Sequence, residues 1–184
     1  MCTSTLLVDT IRRELAGRVD VSESQLCAFQ SHFELLLKWN PKVQLTTVLD
    51  PVKAAIRHYC ESAMVAAFLS RGPVLDFGSG AGFPGLVCAI IRPELEFYLL
   101  ERDIRKGVFL REASRERGNV KVVSAPPSVE VACVTSRAVS LDDVLSSVSA
   151  KTFVVLTTEA IGRGRMTKLP WGDHRYISVF DADQ

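Results

Sequence analysis

The sequence predicts an α/β fold. It is a Rossmann-like, mostly parallel sheet with helices on both faces, an antiparallel hairpin at its C-terminal end and a helical cap before it. Three observations predict it. From Val74 onward, short apolar runs alternate with stretches of helical character. A glycine-rich turn, Gly78-Ser79-Gly80-Ala81-Gly82, follows the first of those runs. The first seventy residues read as helical throughout.

In chain order, Leu6, Leu7, Ile11 and Leu15 stand at helical spacing and Gly17 closes that helix. Ser22 with Gln25 three residues on forms a capping-box pattern, and Leu26, Phe29, Phe33, Leu36 and Leu37 give the apolar stripe of a second helix. Asn40-Pro41 is expected to stop it. A third helix is expected from Pro51 to about Leu69. After Gly72-Pro73, "VLDF", "EFYLLE", "NVKVVS", "VACVTS" and "KTFVVLTT" read as five strands, separated by "LVCAIIR", "IRKGVFLREASRERG" and "LDDVLSSVS" as helices. "GRMTKLP" and "HRYISVF" flank Trp171-Gly172-Asp173 as an antiparallel strand pair. The division expected is a helical cap over 1–70 and a ligand-binding core over 71–184, in one compact unit.

The chain has 184 residues, 47% of them apolar, and a net charge of +1. That balance gives no global pull toward nucleic acid or membrane, so any basic surface must be local. Cys2, Cys27, Cys60, Cys88 and Cys133 form no C-x-x-C pair. They are expected to be small buried hydrophobes, reduced in a cytoplasmic setting, with no metal site and no disulfide framework. No signal peptide is visible and no apolar run reaches the ~18 residues of a membrane helix.

An α/β sheet binds its ligand outside the carboxyl ends of its strands, where the glycine turn falls. A dinucleotide fingerprint would need glycine at position 83, but Phe83 stands there. The spacing present is Asp76-x-Gly78-x-Gly80-x-Gly82. It points to S-adenosyl-L-methionine, whose amino-acid part passes the backbone with no side chain between. A plain tight strand–helix connection is the alternative. Glu101 ends the second strand, nineteen residues after Gly82. It is placed either to accept ribose hydroxyls or to pair with Arg102 or Arg105.

"LDFGSGAGFPGLVCAIIRPELEFYLLERDIRKGVFLRE" closely resembles the 16S ribosomal RNA guanine-N7 methyltransferases of the glucose-inhibited division protein B family. "WNPKVQLTTVLDP", "RHYCES", "VTSRAVS" and "KLPWGDHRYISVF" are similar to further elements of it, in family order from about Trp39 to Phe180. The resemblance implies S-adenosylmethionine-dependent methyl transfer to N7 of a guanine, with the small ribosomal subunit or its RNA as partner to a monomer. It puts Gly78 and Phe83 at cofactor-contacting positions and Arg137 at a cofactor- or substrate-contacting one; with Asp76, Ser79, Gly80, Gly82 and Glu101 from the spacing above, and Pro126-Pro127 in the loop expected to hold adenine, these form the expected cofactor set. Arg137 would contact cofactor or substrate, and is the expected catalytic residue. A surface ion pair is its alternative. His58 and Glu61, one helical turn apart, would brace the cap over the site or pair on the helix surface.

For RNA phosphates, Arg163, Arg165 and Lys168 are the expected contacts, since "GRGRMTK" holds no acid and its two glycines suggest a mobile loop. The helix region from Arg102 to Arg117 is also basic but interleaves Asp103, Glu112 and Glu116, as a salt-bridged solvent face would. The chain departs from the family pattern in four places: Gln44 and Glu61 stand where an Asn and an Asp are usual, and two further departures fall where adenine and RNA are expected. Thr158-Glu159 stand where a Lys-Gly is usual, and "SAPPSVE" is a shortened loop. The alternatives are a methyltransferase of this fold for a small molecule and a cofactor-binding module without catalysis, the second motivated by the missing lysine and the shortened loop.

Overall fold

The computed structural model describes residues 3–182. Seven strands form one sheet in the order β3-β2-β1-β4-β5-β7-β6. The strands are β1 Val74–Phe77, β2 Phe97–Leu100, β3 Val120–Val123, β4 Val131–Arg137, β5 Ala150–Thr157, β6 Arg165–Lys168 and β7 Tyr176–Asp181. The first five run parallel, and β7 pairs antiparallel with both β5 and β6. All four residues of β1 and of β2 are buried, the pattern of central strands covered on both faces. The chain leaves β1 for β2 on one side and returns to β4 on the other. The order therefore reverses beside β1, and a crevice opens at the carboxyl ends of β1 and β4.

The helices are α1 Thr3–Leu15, α2 Glu23–Val43, α3 Pro51–Ala54, α4 Glu61–Ala66, α5 Gly85–Ile91, α6 Ile104–Ala113 and α7 Leu141–Ser147. The capping box is present: Gln25 N–H donates to Ser22 Oγ and Ser22 N–H to Gln25 Oε1. Contrary to the sequence expectation, Asn40-Pro41 does not stop α2. Pro41 stands inside the last turn, where little helix follows it. The helix runs on to Val43, where left-handed Gln44 closes it with its N–H on Asn40 O. The third expected helix is also different. It is α3 and α4 joined by a π-helical turn, Ala55–Cys60, and it ends at Ala66 rather than near Leu69. His58 through Ala63 are all buried there, as befits a helix enclosed on every side.

Leu7, Phe29, Phe33 and Tyr59 of the helical segment share one apolar cluster with Phe83 of the glycine turn, Leu86 of α5 and Phe109 of α6. The opposite face packs Leu75, Val134, Phe153 and Phe180 against Val144 of α7. Cys60, Cys88 and Cys133 are buried, which pushes their thiols up, but Cys27 is exposed, and Cys2 lies outside the described residues. The mobile loop expected around "GRGRMTK" is corrected as well. Arg165–Lys168 is a paired strand. Gly164 is held at φ +62°, so close that a Cβ would stand 2.2 Å from Val179 O. Among the described residues, no helix is long and apolar enough to cross a membrane.

Candidate active site

The glycine turn leaves β1 at the carboxyl edge and is pinned from below. Gly78 and Ser79 N–H both donate to Leu100 O, and Gly82 N–H donates to Ser79 O. Asp76 lies fully buried beneath the turn, with Oδ1 accepting from Thr135 Oγ1 at 2.9 Å. Burial pushes its carboxyl up to about 6, against the hydrogen bonds it receives. Gly85 opens α5 directly over it, so that a Cβ there would meet Asp76 Cβ at 2.4 Å. Ser79 is buried too, its Oγ donating to Asp76 O. Both residues were expected among the cofactor contacts; the structure makes them the turn's foundation.

Gly78, Gly80 and Gly82 all have positive φ, which glycine adopts without a Cβ penalty. The three do different work. A Cβ on Gly78 would meet Val139 Cγ2 at 2.8 Å, and one on Gly82 would press on Leu86. At Gly80 a Cβ would project into space, with nothing nearer than Gly78 O at 3.8 Å. Glu101 is tied to the turn at this residue: its Oε2 accepts from Gly80 N–H at 2.9 Å and its Oε1 from Asp103 N–H at 2.8 Å. It does not pair with Arg105, whose guanidinium reaches Asp103 at 3.8 Å.

Phe77, Gly78, Leu100, Glu101, Arg102 and Val139 line a cavity of about 280 Å³, with Asp143 and Ser147 of α7 at its wall. The apolar side chains Phe77, Leu100 and Val139 beside the Glu101 carboxylate suit an adenosine. Each Glu101 oxygen accepts a single bond and keeps acceptor capacity for ribose hydroxyls. The residues present thus fit S-adenosylmethionine. Pro126 and Pro127 stand in the loop after β3, Pro126 exposed and Pro127 half-buried, and line no part of this cavity.

Phe83 does not join that cavity either. It is buried beside it, stacked on His58 at 4.5 Å, with the Arg137 guanidinium 5.2 Å from its ring centre. Arg137 ends β4 on the edge where the glycine turn lies. It donates to Arg57 O at 2.7 Å and to His58 Nδ1 at 3.3 Å. A guanidinium only donates, so His58 Nδ1 must accept and its proton sits on Nε2, 3.0 Å from Thr46 Oγ1. Thr46 is held in turn by its N–H on Asn40 Oδ1. The end of α2, the π turn and β4 are thereby joined through one neutral imidazole. His58 and Glu61 do not meet: Glu61 is buried and faces Arg175 of the C-terminal hairpin, 3.6 Å away.

Burial first, then the Arg137 charge, holds His58 down to about 3. The folded value lies below the ordinary one, so the stability that neutral His58 contributes is present above pH ~6.5 and is lost as pH falls toward the folded value. In urea unfolding, the advantage of wild type over His58→Asn should therefore shrink on acidification from pH ~7.5 to ~4.5, by up to ~1.4 kcal/mol per pH unit below 6.5. A constant gap would show that His58 is not held neutral.

His32 escaped the sequence reading. It lies buried within the apolar stripe of α2, its Nε2 donating to Ala81 O and its Nδ1 accepting from Tyr59 Oη. A histidine among Phe29, Phe33 and Leu36 was the available signal. The three expected RNA cations are exposed but scattered. Lys168 reaches the carboxyl edge and pairs with Asp173 at 3.9 Å. Arg165 sits beside Val179, which is in register with Val154, midway down β5, and Arg163 precedes it. The structure does not bring these two arginines to the edge where Arg137 and Glu101 lie.

The family described as rRNA small subunit methyltransferase G matches residues 25–161. The chain belongs to that family. It is 39% identical over 128 residues to the ribosomal RNA small subunit methyltransferase G of Dichelobacter nodosus, covering 65% of this chain and 61% of that one. With the protein of the same name from Chromohalobacter salexigens it shares 41% over 133 residues, covering 71% and 62%. The chain thus spans less than two thirds of either relative. A SAM-dependent methyltransferase from Aquifex aeolicus superposes with a TM-score of 0.53 at 13% identity, covering 74% of this chain and 95% of that one. A mutant of MtNAS in complex with S-adenosylmethionine gives 0.54 at 11%, covering 97% and 88%. These two share the fold. Membership of the family supports S-adenosyl-L-methionine as the cofactor.

Proposed function

We propose that the protein transfers a methyl group from S-adenosylmethionine to N7 of a guanine in 16S ribosomal RNA, in the naked RNA or in the small subunit. The observation that carries this reading is the Glu101–Gly80 contact at the mouth of the adenosine-sized cavity, on the edge where Arg137 ends β4. The cofactor, when bound, supplies an electrophilic sulfonium methyl. Guanine N7 already carries an in-plane lone pair, so the reaction needs no base before attack.

The site is in keeping with that chemistry. His58 has both ring nitrogens engaged, and Asp76 is sealed beneath the turn, so neither is offered to a substrate. What the chain supplies is position. Glu101 and the glycine turn hold the nucleoside, and Arg137, fixed by His58 and Arg57 O, holds a cation at the mouth for the guanine or its phosphate.

The test is transfer of labelled methyl from S-adenosylmethionine to small subunits lacking the modification, with the product nucleoside identified. A small-molecule acceptor from a metabolite panel in place of the RNA would overturn the substrate. Cofactor binding with no transfer to either would make the protein a binding module. Within the site, Glu101→Ala should weaken S-adenosylmethionine binding by roughly 1.5–3 kcal/mol, the range for hydrogen bonds to a charged group. A calorimetric titration reads it, and a loss of only a few tenths would move the ribose contact elsewhere.

A further inference from the structure

We propose that the groove between the C-terminal half of α2 and helix α6 is the track on which single-stranded RNA lies as it enters the site, with Lys38 and Lys42 on its phosphates and Trp39 beneath a base. This deepens the ribosomal RNA reading and rests on it.

Leu35, Lys38, Trp39, Lys42, Val43 and Glu112 line a cavity of about 420 Å³. Lys38 and Lys42 are four residues apart on one helical face. Trp39 is half-buried, its ring packed edgewise on Phe109 of α6 at 5.9 Å, which ties the two walls together. Both walls lead to the site. Helix α6 starts three residues after Glu101. Helix α2 ends at Val43, three residues before Thr46, which holds the His58 that holds Arg137. A chain lying in the groove thus reaches the cation at the cavity mouth without crossing the sheet.

The charge balance selects the occupant. Among the described residues, Lys38, Lys42, Arg102, Lys106 and Arg111 form no ion pair, while Glu34, one turn before Lys38, accepts from Gln30 at 3.0 Å, and Glu112 and Asp103 on the α6 side are engaged as well. Glu112 holds Arg115 at 2.7 Å, and Asp103 caps α6 and faces Arg105. What remains is a row of free cations along two helices. Interspersed with it are the exposed apolar side chains Ile104, 79% accessible, and Val108, 42%. Free cations alternating with exposed apolar and aromatic surface match a polyanion with flat apolar faces, which is single-stranded nucleic acid. An apolar peptide would leave the cations without partners. Arg163 and Arg165, by contrast, stand away from the carboxyl edge.

The experiment measures binding of the whole protein to small subunits and to a labelled single-stranded RNA oligonucleotide across a salt series. It compares wild type with the exposed double variant Lys38→Glu/Lys42→Glu, with Trp39→Leu, and with Arg163→Ala/Arg165→Ala. Each neutralised phosphate on a single strand contributes ~0.7 to the salt slope, so Lys38→Glu/Lys42→Glu should flatten it by at least ~1.4. Affinity near ~0.1 M salt should drop on the order of tenfold or more, with S-adenosylmethionine affinity unchanged. Trp39→Leu should weaken binding with no change of slope. The arginine double variant should match wild type.

If the lysine variant keeps the wild-type slope and affinity while wild type still methylates the subunit, the groove is not the track. An arginine variant that takes the whole loss would overturn it in favour of the hairpin. Wild type that binds neither RNA at low salt yet still binds S-adenosylmethionine would sink the ribosomal RNA reading, and the groove with it.

Discussion

Gly80→Val should abolish S-adenosylmethionine binding, a loss of at least 100-fold, in a protein that still folds. The position combines two properties that its neighbours do not. Its φ is +55°, so a β-branched residue is strained there; its Cβ direction is open, so the side chain clashes with nothing in the protein itself. Gly80 N–H is the group that Glu101 Oε2 accepts, so a change of backbone here is passed directly to that carboxylate. A strained, bulkier turn therefore blocks the cradle and also displaces the ribose acceptor. Gly85→Ala is the control of opposite kind. Its Cβ would meet buried Asp76 at 2.4 Å, so it should cost stability, typically ~1–3 kcal/mol for an overpacked core, and affect binding only through that loss. Calorimetric titration with S-adenosylmethionine, alongside thermal unfolding of both variants, separates the two. A folded Gly80→Val with unchanged affinity would remove the glycine turn from the cofactor site.

The sheet was legible in the sequence because its strands are short, apolar on both faces and punctuated by glycine and proline; all seven were readable, with the hairpin. The glycines and Glu101 were legible for a related reason: positive φ and a carboxylate at a strand end leave marks in residue type and spacing. What could not be read was which of the motif residues touch the cavity. Asp76 and Ser79 sit in the same motif as Gly78 and Gly80, yet one pair is buried beneath the turn and the other lies along it. Residue type cannot tell a support from a contact where both stand in one tight turn a residue or two apart. Phe83 likewise went to Arg137 and His58 because the turn points it at the cap, a matter of tertiary packing. Pro41 misled for a local reason, since it falls in the last turn of α2, which the left-handed Gln44 and the Asn40–Thr46 bond then close.

Arg137→Ala should lower the rate of methyl transfer to the small subunit roughly 100-fold, the scale set by losing one positioned contact at a reacting centre, with S-adenosylmethionine affinity little changed. The split follows from where the guanidinium lies. It is not among the residues lining the adenosine-sized cavity; it sits over Phe83, its donors on Arg57 O and His58 Nδ1, at the carboxyl end of β4. Burial also holds its pKa below the usual guanidinium range, so the surroundings press for a counter-charge that the buried Glu61 and Asp76 supply only at a distance. A phosphate or the electron-rich edge of a guanine arriving there completes its coordination. Arg137→Lys keeps the charge but loses the fork that holds the backbone carbonyl and the imidazole together, and should recover only a small part of the rate. His58→Asn should fall between wild type and Arg137→Ala, because it frees the guanidinium without removing it. Single-turnover transfer with saturating cofactor, read beside S-adenosylmethionine titrations of the same three proteins, gives the ordering. A loss confined to cofactor affinity would reassign Arg137 to the cofactor. A full wild-type rate in Arg137→Ala would leave it a brace between β4 and the π turn, with the guanine held by other groups.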